Sequence, residues 1–240
     1  MKFNDTGTLS HWQLDGINVI EPLHDKAGGG LRGGAFLCLP NFEELSPPFS
    51  IKHGEYRITA CGSQLPHRKI LASATKSNWG HIDVISDWEE VEDHQGKTLT
   101  VNTTLRALSD AAWVRPGFHP YFSVTEDSVI TIGTTRLAVA SLPHDAMQCH
   151  PVASLAETAK LSTALYSVTV GCSVSPLIAK LSLAFAVWSD KKHQYVCIEP
   201  VIGLQADLNG LPTPLTLANG DELAMVFKIH ANKADVTKLS

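Results

Sequence analysis

HIDVISDW (residues 81–88) and KTLTVNTTL (residues 97–105) decide the fold. In both stretches polar and apolar side chains alternate, and both are rich in Val, Ile and Thr. Side chains on a strand point alternately to opposite faces, so this period of two is the mark of a half-buried β-strand. Between them lies EEVEDHQG (residues 89–96), a polar stretch whose Gly96 can adopt a positive φ, and the unit reads as a β-hairpin. Working outward, further strands are expected at Gly54–Thr59, Ser128–Ile132, Leu137–Ser141, Tyr166–Val170, Ile178–Trp188, Tyr195–Glu199 and Leu223–Ile229. Val152–Leu165, with irregularly recurring apolar residues, reads as a short helix or as loop. Many short strands divided by Gly, Pro, Asn and Asp predict an all-β fold, a large antiparallel β-sandwich or barrel. The regular strand–helix alternation of a parallel sheet is absent. At 240 residues a single domain over 1–240 is expected.

Composition excludes several functions. Charged residues are 18% of the chain, against about 25% in a typical soluble domain. The net charge is −5, and no block of Lys or Arg occurs. A nucleic-acid binder or a polybasic membrane binder would carry one. The five cysteines, Cys38, Cys61, Cys149, Cys172 and Cys197, are odd in number and include no CxxC pair. Reduced, mostly buried thiols are expected rather than a disulfide framework or a zinc ribbon. The opening MKFNDTGTLSHWQL has no apolar core of a signal peptide, and no stretch is long and apolar enough to span a bilayer. These features predict a cytoplasmic protein. GGGLRGG (28–34) lacks the spacing and the strand–turn–helix setting of a dinucleotide fingerprint, and neither a Walker A sequence nor HExxH is present.

Three segments hold chemistry-bearing residues. In RPGFHPYFSV (115–124), His119 stands among aromatics, and the following proline biases it to extended geometry. An imidazole beside an aromatic wall suits proton transfer near neutrality; a histidine bonded to backbone in an aromatic corner is the plain alternative. In YVCIEPVIG (195–203), Glu199 ends an apolar run. Glutamate is rarely buried unless paired or functional, and partial desolvation suits a general base; a cross-sheet ion pair is the alternative. The stretch from Leu31 to Arg57 supplies Arg32, His53 and Arg57. Arginines offer planar donors for hydroxyls or phosphate, or stand as solvated surface charges.

Together the segments resemble the aldose 1-epimerase (galactose mutarotase-like) family, and within it the glucose-6-phosphate 1-epimerase-like branch. RGGAFLCLPNF (32–42), HGEYR (53–57), HPYF (119–122) and CIEP (197–200) follow the order of the branch's RGG stretch, HGFAR, HPYF or HTYF, and CVEP motifs, spanning residues 29–203. HWQLDGINVI (11–20) looks like the family's second or third strand. The resemblance implies a large β-sandwich with sugar bound in a cleft on one face. It implies interconversion of the α and β anomers of a hexose or hexose 6-phosphate, without metal or organic cofactor. His119 would be the general acid and Glu199 the general base. Arg32, His53 and Arg57 would bind substrate. The sequence departs from the family in places: Glu55-Tyr56 replaces the family's Phe-Ala, the segment after Phe122 is short, and the family's aspartate between HPYF and EP has no clear match, with Asp145 and Asp190 as candidates.

Three other functions compete. A non-catalytic sugar-binding or sugar-sensing protein could share the fold, although a binder needs no matched acid and base. His144, Asp145, Cys149 and His150 gather metal-competent side chains, but match no structural zinc spacing and sit between Pro143 and Pro151 in an expected surface loop. Trp12, Trp79, Trp88, Trp113 and Trp188 could feed a protein interface, or serve as core and sugar platforms.

Overall fold

The computed structural model describes residues 1–4, 8–25, 31–39, 42, 57–58, 68–71, 82–108, 112–175, 180–189, 194–206 and 210–234. Among these the regular structure is antiparallel strand, with one 3-10 turn at Val139–Ser141. Among the described residues no helix is long and apolar enough to cross a membrane.

Two large sheets form. The first runs in the order Gln148–Pro151, Ser182–Trp188, Tyr195–Ala206, Gly117–Ser123, Ile17–Ile20, Leu9–Leu14, Ala35–Cys38 and Arg57–Ile58. Lys2–Phe3 and Pro212–Thr213 attach beside it. The second runs Thr135–Ala138, Val129–Ile132, Ala159–Ser162, Tyr166–Ser175, Glu222–Lys233, Gly96–Ala107, Ile82–Asp93 and Arg68–Leu71. The fold is a large antiparallel β-sandwich, as the period-two reading predicts.

Alternation sorts side chains onto faces. In Gly96–Ala107 the residues Leu99, Val101, Leu105 and Ala107 point inward, and Leu223, Met225, Phe227 and Ile229 do the same from the neighbouring strand. They meet Trp12, Leu37, Phe118, Phe122, Phe185 and Ile198 from the first sheet. Burial of such large apolar surfaces is the dominant stabilising term. Phe118 stacks on Phe227 at 5.5 Å and meets Trp88 edge-on at 5.7 Å. A polar tie also crosses between the sheets: the Tyr166 hydroxyl donates to the carbonyls of Val19 (3.3 Å) and Ser123. Burial, reinforced by the Glu21 carboxylate, holds that phenol well above its ordinary range.

The opposite face of the first sheet carries a second, smaller apolar cluster: Phe36, Cys38, Phe42, Tyr121, Ala186, Tyr195, Cys197, Val201 and Leu211. A sheet usually turns such a face to water. Here it is aromatic and largely buried, and it surrounds a cleft.

Several expected elements differ from those observed. The hairpin's polar segment is strand, not turn: the ladder continues to Asp93 opposite Gly96. The reversal is two residues, His94-Gln95, with the Asp93 carboxylate accepting from the amides of Gln95 (2.7 Å) and Gly96 (3.2 Å). Gly96 takes φ +144°, and a Cβ there would lie 2.2 Å from the Ala231 carbonyl oxygen. Val152–Leu165 forms no helix; it is turn followed by the strand Ala159–Ser162, whose Ala159 and Leu161 are buried while Lys160 and Ser162 are exposed. Leu137–Ser141 divides between the end of Thr135–Ala138 and the 3-10 turn. The strand expected over Ile178–Trp188 is observed over Ser182–Trp188, with residues 176–179 outside the described residues. Of Gly54–Thr59 only Arg57–Ile58 is described, and as strand.

Candidate active site

The register brings His119 and Glu199 together. Gly117 pairs with Val201 and Tyr121 with Cys197, so the positions midway, His119 and Glu199, face each other across the two strands. Directly opposed Cβ atoms in an antiparallel pair are about 5 Å apart. The side chains close this gap: His119 Nε2 lies 3.4 Å from Glu199 Oε2. Both are deeply buried, at 7% and 2% exposure. Taking a carboxylate out of water is costly unless an opposite charge is held against it, and His119 supplies that charge when it is protonated.

Two aromatic rings pack on the imidazole. Phe36, its cross-strand partner, stacks on it at 4.7 Å, and Tyr121 at 4.8 Å with rings 15° from parallel. Trp188, Tyr121 and Tyr195 form a continuing aromatic belt. The pair lies in a cleft of about 260 Å³ lined by Arg32, Phe42, His119, Tyr121, Met147, Trp188 and Glu199.

Backbone turns deliver the walls. Gly33 and Gly34 take φ of +83° and +76°; a Cβ on Gly33 would lie 2.3 Å from the Pro22 carbonyl oxygen, and on Gly34 2.6 Å from that of Leu9. Only glycine fits such left-handed, crowded positions. The RGG stretch thus folds sharply and carries Arg32, whose guanidinium carbon sits 5.4 Å from the centre of the Trp188 ring. Phe42 is held by Arg115: the Phe42 amide donates to the Arg115 carbonyl (2.6 Å), and Arg115 Nε donates to the Phe42 carbonyl (2.8 Å). The same guanidinium reaches the Pro212 carbonyl at 3.3 Å. Gly117 makes room for the Phe42 ring, which a Cβ there would meet at 2.8 Å.

Of the residues singled out in the sequence, His119, Glu199 and Arg32 converge on the cleft. His53 lies outside the described residues, as does Asp190. Arg57 is described through its backbone, which pairs with Cys38. Asp145 is exposed, at φ +55°, and Met147 lines the cleft instead. The metal-competent run around residue 150 does not assemble. His144 and Asp145 are exposed, whereas Cys149 packs against the cluster around the cleft. His150, one residue on, points to the other face of the strand Gln148–Pro151. Desolvation holds the His150 imidazole below its ordinary range.

Phe42, Met147, Arg115 and Gly117 were not foreseen as site residues. For Gly117 and Phe42 no local signal exists, since the contact spans the fold. Cys197 was legible: it shares a face with Glu199 two residues away.

No protein-family description matches the chain, and no curated protein matches it. Solved structures do. The galactose mutarotase related enzyme from Lactobacillus acidophilus superposes with a TM-score of 0.65 at 14% identity, over 98% of this chain and 94% of that one. A protein from Escherichia coli K12, provisionally named an aldose 1-epimerase, gives 0.63 at 13% identity over 96% and 94%. A galactose mutarotase-like protein from Lactobacillus casei gives 0.62 at 12% identity over 96% of each chain. At these identities the likeness is one of fold.

Proposed function

We propose that this chain is an aldose 1-epimerase acting on a hexose or hexose 6-phosphate, with Glu199 as general base and His119 as general acid. The observation that carries the reading is the buried His119–Glu199 contact of 3.4 Å at the floor of an aromatic cleft. With His119 protonated, such a pair holds the two states the reaction requires side by side, a charged acid next to an ionised base.

The chemistry needs one proton acceptor and one donor. Glu199 takes the proton of the anomeric hydroxyl. The bond from C1 to the ring oxygen breaks, its electron pair passes to that oxygen, and His119 protonates it. The free aldehyde turns about the C1–C2 bond and presents its other face. The released hydroxyl attacks C1 and returns its proton to His119, while Glu199 returns its proton to the new anomeric hydroxyl. No atom or electron is gained or lost, so no cofactor enters the balance. Low local dielectric strengthens each charge interaction along this path.

Arg32, beside Trp188, is proposed as a hydroxyl or phosphate reader, with His53 and Arg57 completing the substrate contacts as the motif resemblance implies. A phosphorylated sugar is favoured by arginine's planar, bidentate donor geometry. Met147 lines the cleft while Asp145 stays exposed, and this favours a second reading, a sugar-binding protein without turnover.

Exchange NMR on equilibrated glucose and glucose 6-phosphate separates the two. Wild type is expected to accelerate α/β exchange, and Glu199→Gln to lose about 10²–10⁴ of that acceleration while keeping its circular dichroism. Full activity in Glu199→Gln would remove Glu199 as the base. Silence of the wild type across an aldose panel, galactose included, with saturable sugar binding, would establish the binder.

A further inference from the structure

We propose that His119, Cys197 and Glu199 form a binding site for a thiophilic divalent cation of the zinc class, and that its occupation disables the acid–base pair. One donor atom from each residue lies within 4.8 Å of the other two. All three residues are buried, Cys197 completely. The sheet makes the arrangement: positions 197 and 199 share a face of one strand, and 119 lies opposite 199 on the next.

The donor set is a nitrogen, a sulfur and a carboxylate oxygen, the combination that suits zinc and disfavours magnesium or calcium. Tetrahedral bonds of about 2.0–2.3 Å place ligand atoms about 3.3–3.8 Å apart. The histidine–glutamate separation of 3.4 Å already meets this. The thiol closes the remainder by rotation about a side-chain bond. The cleft, lined by His119 and Glu199, gives the ion its route to two of the three donors, and the pattern of three protein ligands leaves a fourth position for water or a sugar hydroxyl. On binding, the Cys197 thiol and the His119 Nε2–H release their protons to solvent, and the freed lone pairs go to the cation. With the lone pairs of Glu199 and His119 both engaged, neither can move a proton. The inhibitory consequence rests on the epimerase reading; the binding does not. The run around residue 150 makes the contrast, since Cys149 and His150 point to opposite faces of their strand.

The test uses the full chain freed of metal by chelation. Titration with Cd²⁺ is followed by the ultraviolet thiolate-to-cadmium absorption band. One equivalent is expected to develop the band, and Zn²⁺ to compete it away. Cys197→Ala should abolish the band and weaken Cd²⁺ binding by about tenfold or more, whereas Cys149→Ala should leave both unchanged. Circular dichroism checks the fold, with Cys197→Ser as the second variant. Zn²⁺ should slow wild-type anomer exchange by about tenfold relative to the metal-free rate, and Cys197→Ala should resist it relative to its own metal-free rate. A band that survives in both Cys197 variants, one that follows Cys149 instead, no band at micromolar Cd²⁺, or zinc inhibition indifferent to Cys197 would each overturn the site. A protein that develops the band in the Cys197-dependent way, yet never accelerates anomer exchange, keeps the cation site and sinks the epimerase reading.

Discussion

Phe118 and His119 are adjacent in the chain and have opposite tasks because successive side chains of a strand point to opposite faces. Phe118 enters the core between the sheets; His119 enters the cleft. The same parity makes Ile198 core and Glu199 site. Parity is readable in the sequence, because both segments alternate as strands do. Their meeting is not, because it depends on a register set by Gly117 opposite Val201, more than eighty positions apart. The pair leads to a prediction about pH. The proposed mechanism needs His119 charged and Glu199 ionised, so kcat/KM should fall at both extremes. The loss at high pH reports the acid and the loss at low pH the base, both belonging to the coupled pair. His119→Asn should lower the rate by about 10²–10⁴ and erase the alkaline limb. An alkaline limb intact in His119→Asn would assign the acid elsewhere.

At the scale of elements, the sequence revealed strands well and ends poorly, for a physical reason. EEVEDHQG reads as turn because it is polar. Yet a strand that runs past the edge of the core has water on both sides, and charges there cost little. Lys97 adds partners, 3.3 Å from Glu90 and 3.6 Å from Glu92. The irregular apolar spacing of Val152–Leu165 came from a turn joined to a short strand, two patterns summed. The elements around the cleft carry a sharper prediction. Gly117→Ala puts a methyl 2.8 Å from the Phe42 ring, while Arg115 holds the Phe42 backbone from both its amide and its carbonyl. The ring must therefore swing relative to the cleft. Overpacking of this kind costs about 1–3 kcal/mol, and displaced walls should lower kcat/KM by about tenfold or more. The check is a double-mutant cycle by denaturant melts. Gly117→Ala in a Phe42→Ala background should cost much less, since the 2.8 Å contact with the ring is gone and only the 3.2 Å approach to the Cβ of residue 42 remains. Equal costs in the two backgrounds would show that Gly117 is required for something other than the ring.

Over the whole molecule, two apolar clusters lie on opposite faces of one sheet, and only the larger joins both sheets. The larger cluster takes residues from the N-terminal hairpin, the central strands and the last long strand, Glu222–Lys233. We therefore expect one cooperative unit rather than separable halves, with far-UV circular dichroism and tryptophan fluorescence reporting a single coincident transition. Trp12 and Trp88, both buried in this cluster, report its integrity directly. Phe118→Ala tests the coupling. It deletes a ring that touches Phe227 and Trp88 of the opposite sheet at 5.5 and 5.7 Å, and no collapse of one sheet alone can refill the space. The expected cost is about 3–5 kcal/mol, near the upper range for aromatic truncations. Anomer exchange per folded molecule should survive well below the melting temperature, because the cleft lies on the far face. His119→Asn, one residue away, should instead lower exchange per folded molecule by about 10²–10⁴, and it should also lower the transition, because the buried Glu199 carboxylate loses the cation held against it. Two separated transitions in Phe118→Ala, one for each probe, would mean that the sheets fold independently and that the sandwich is held by something other than this core.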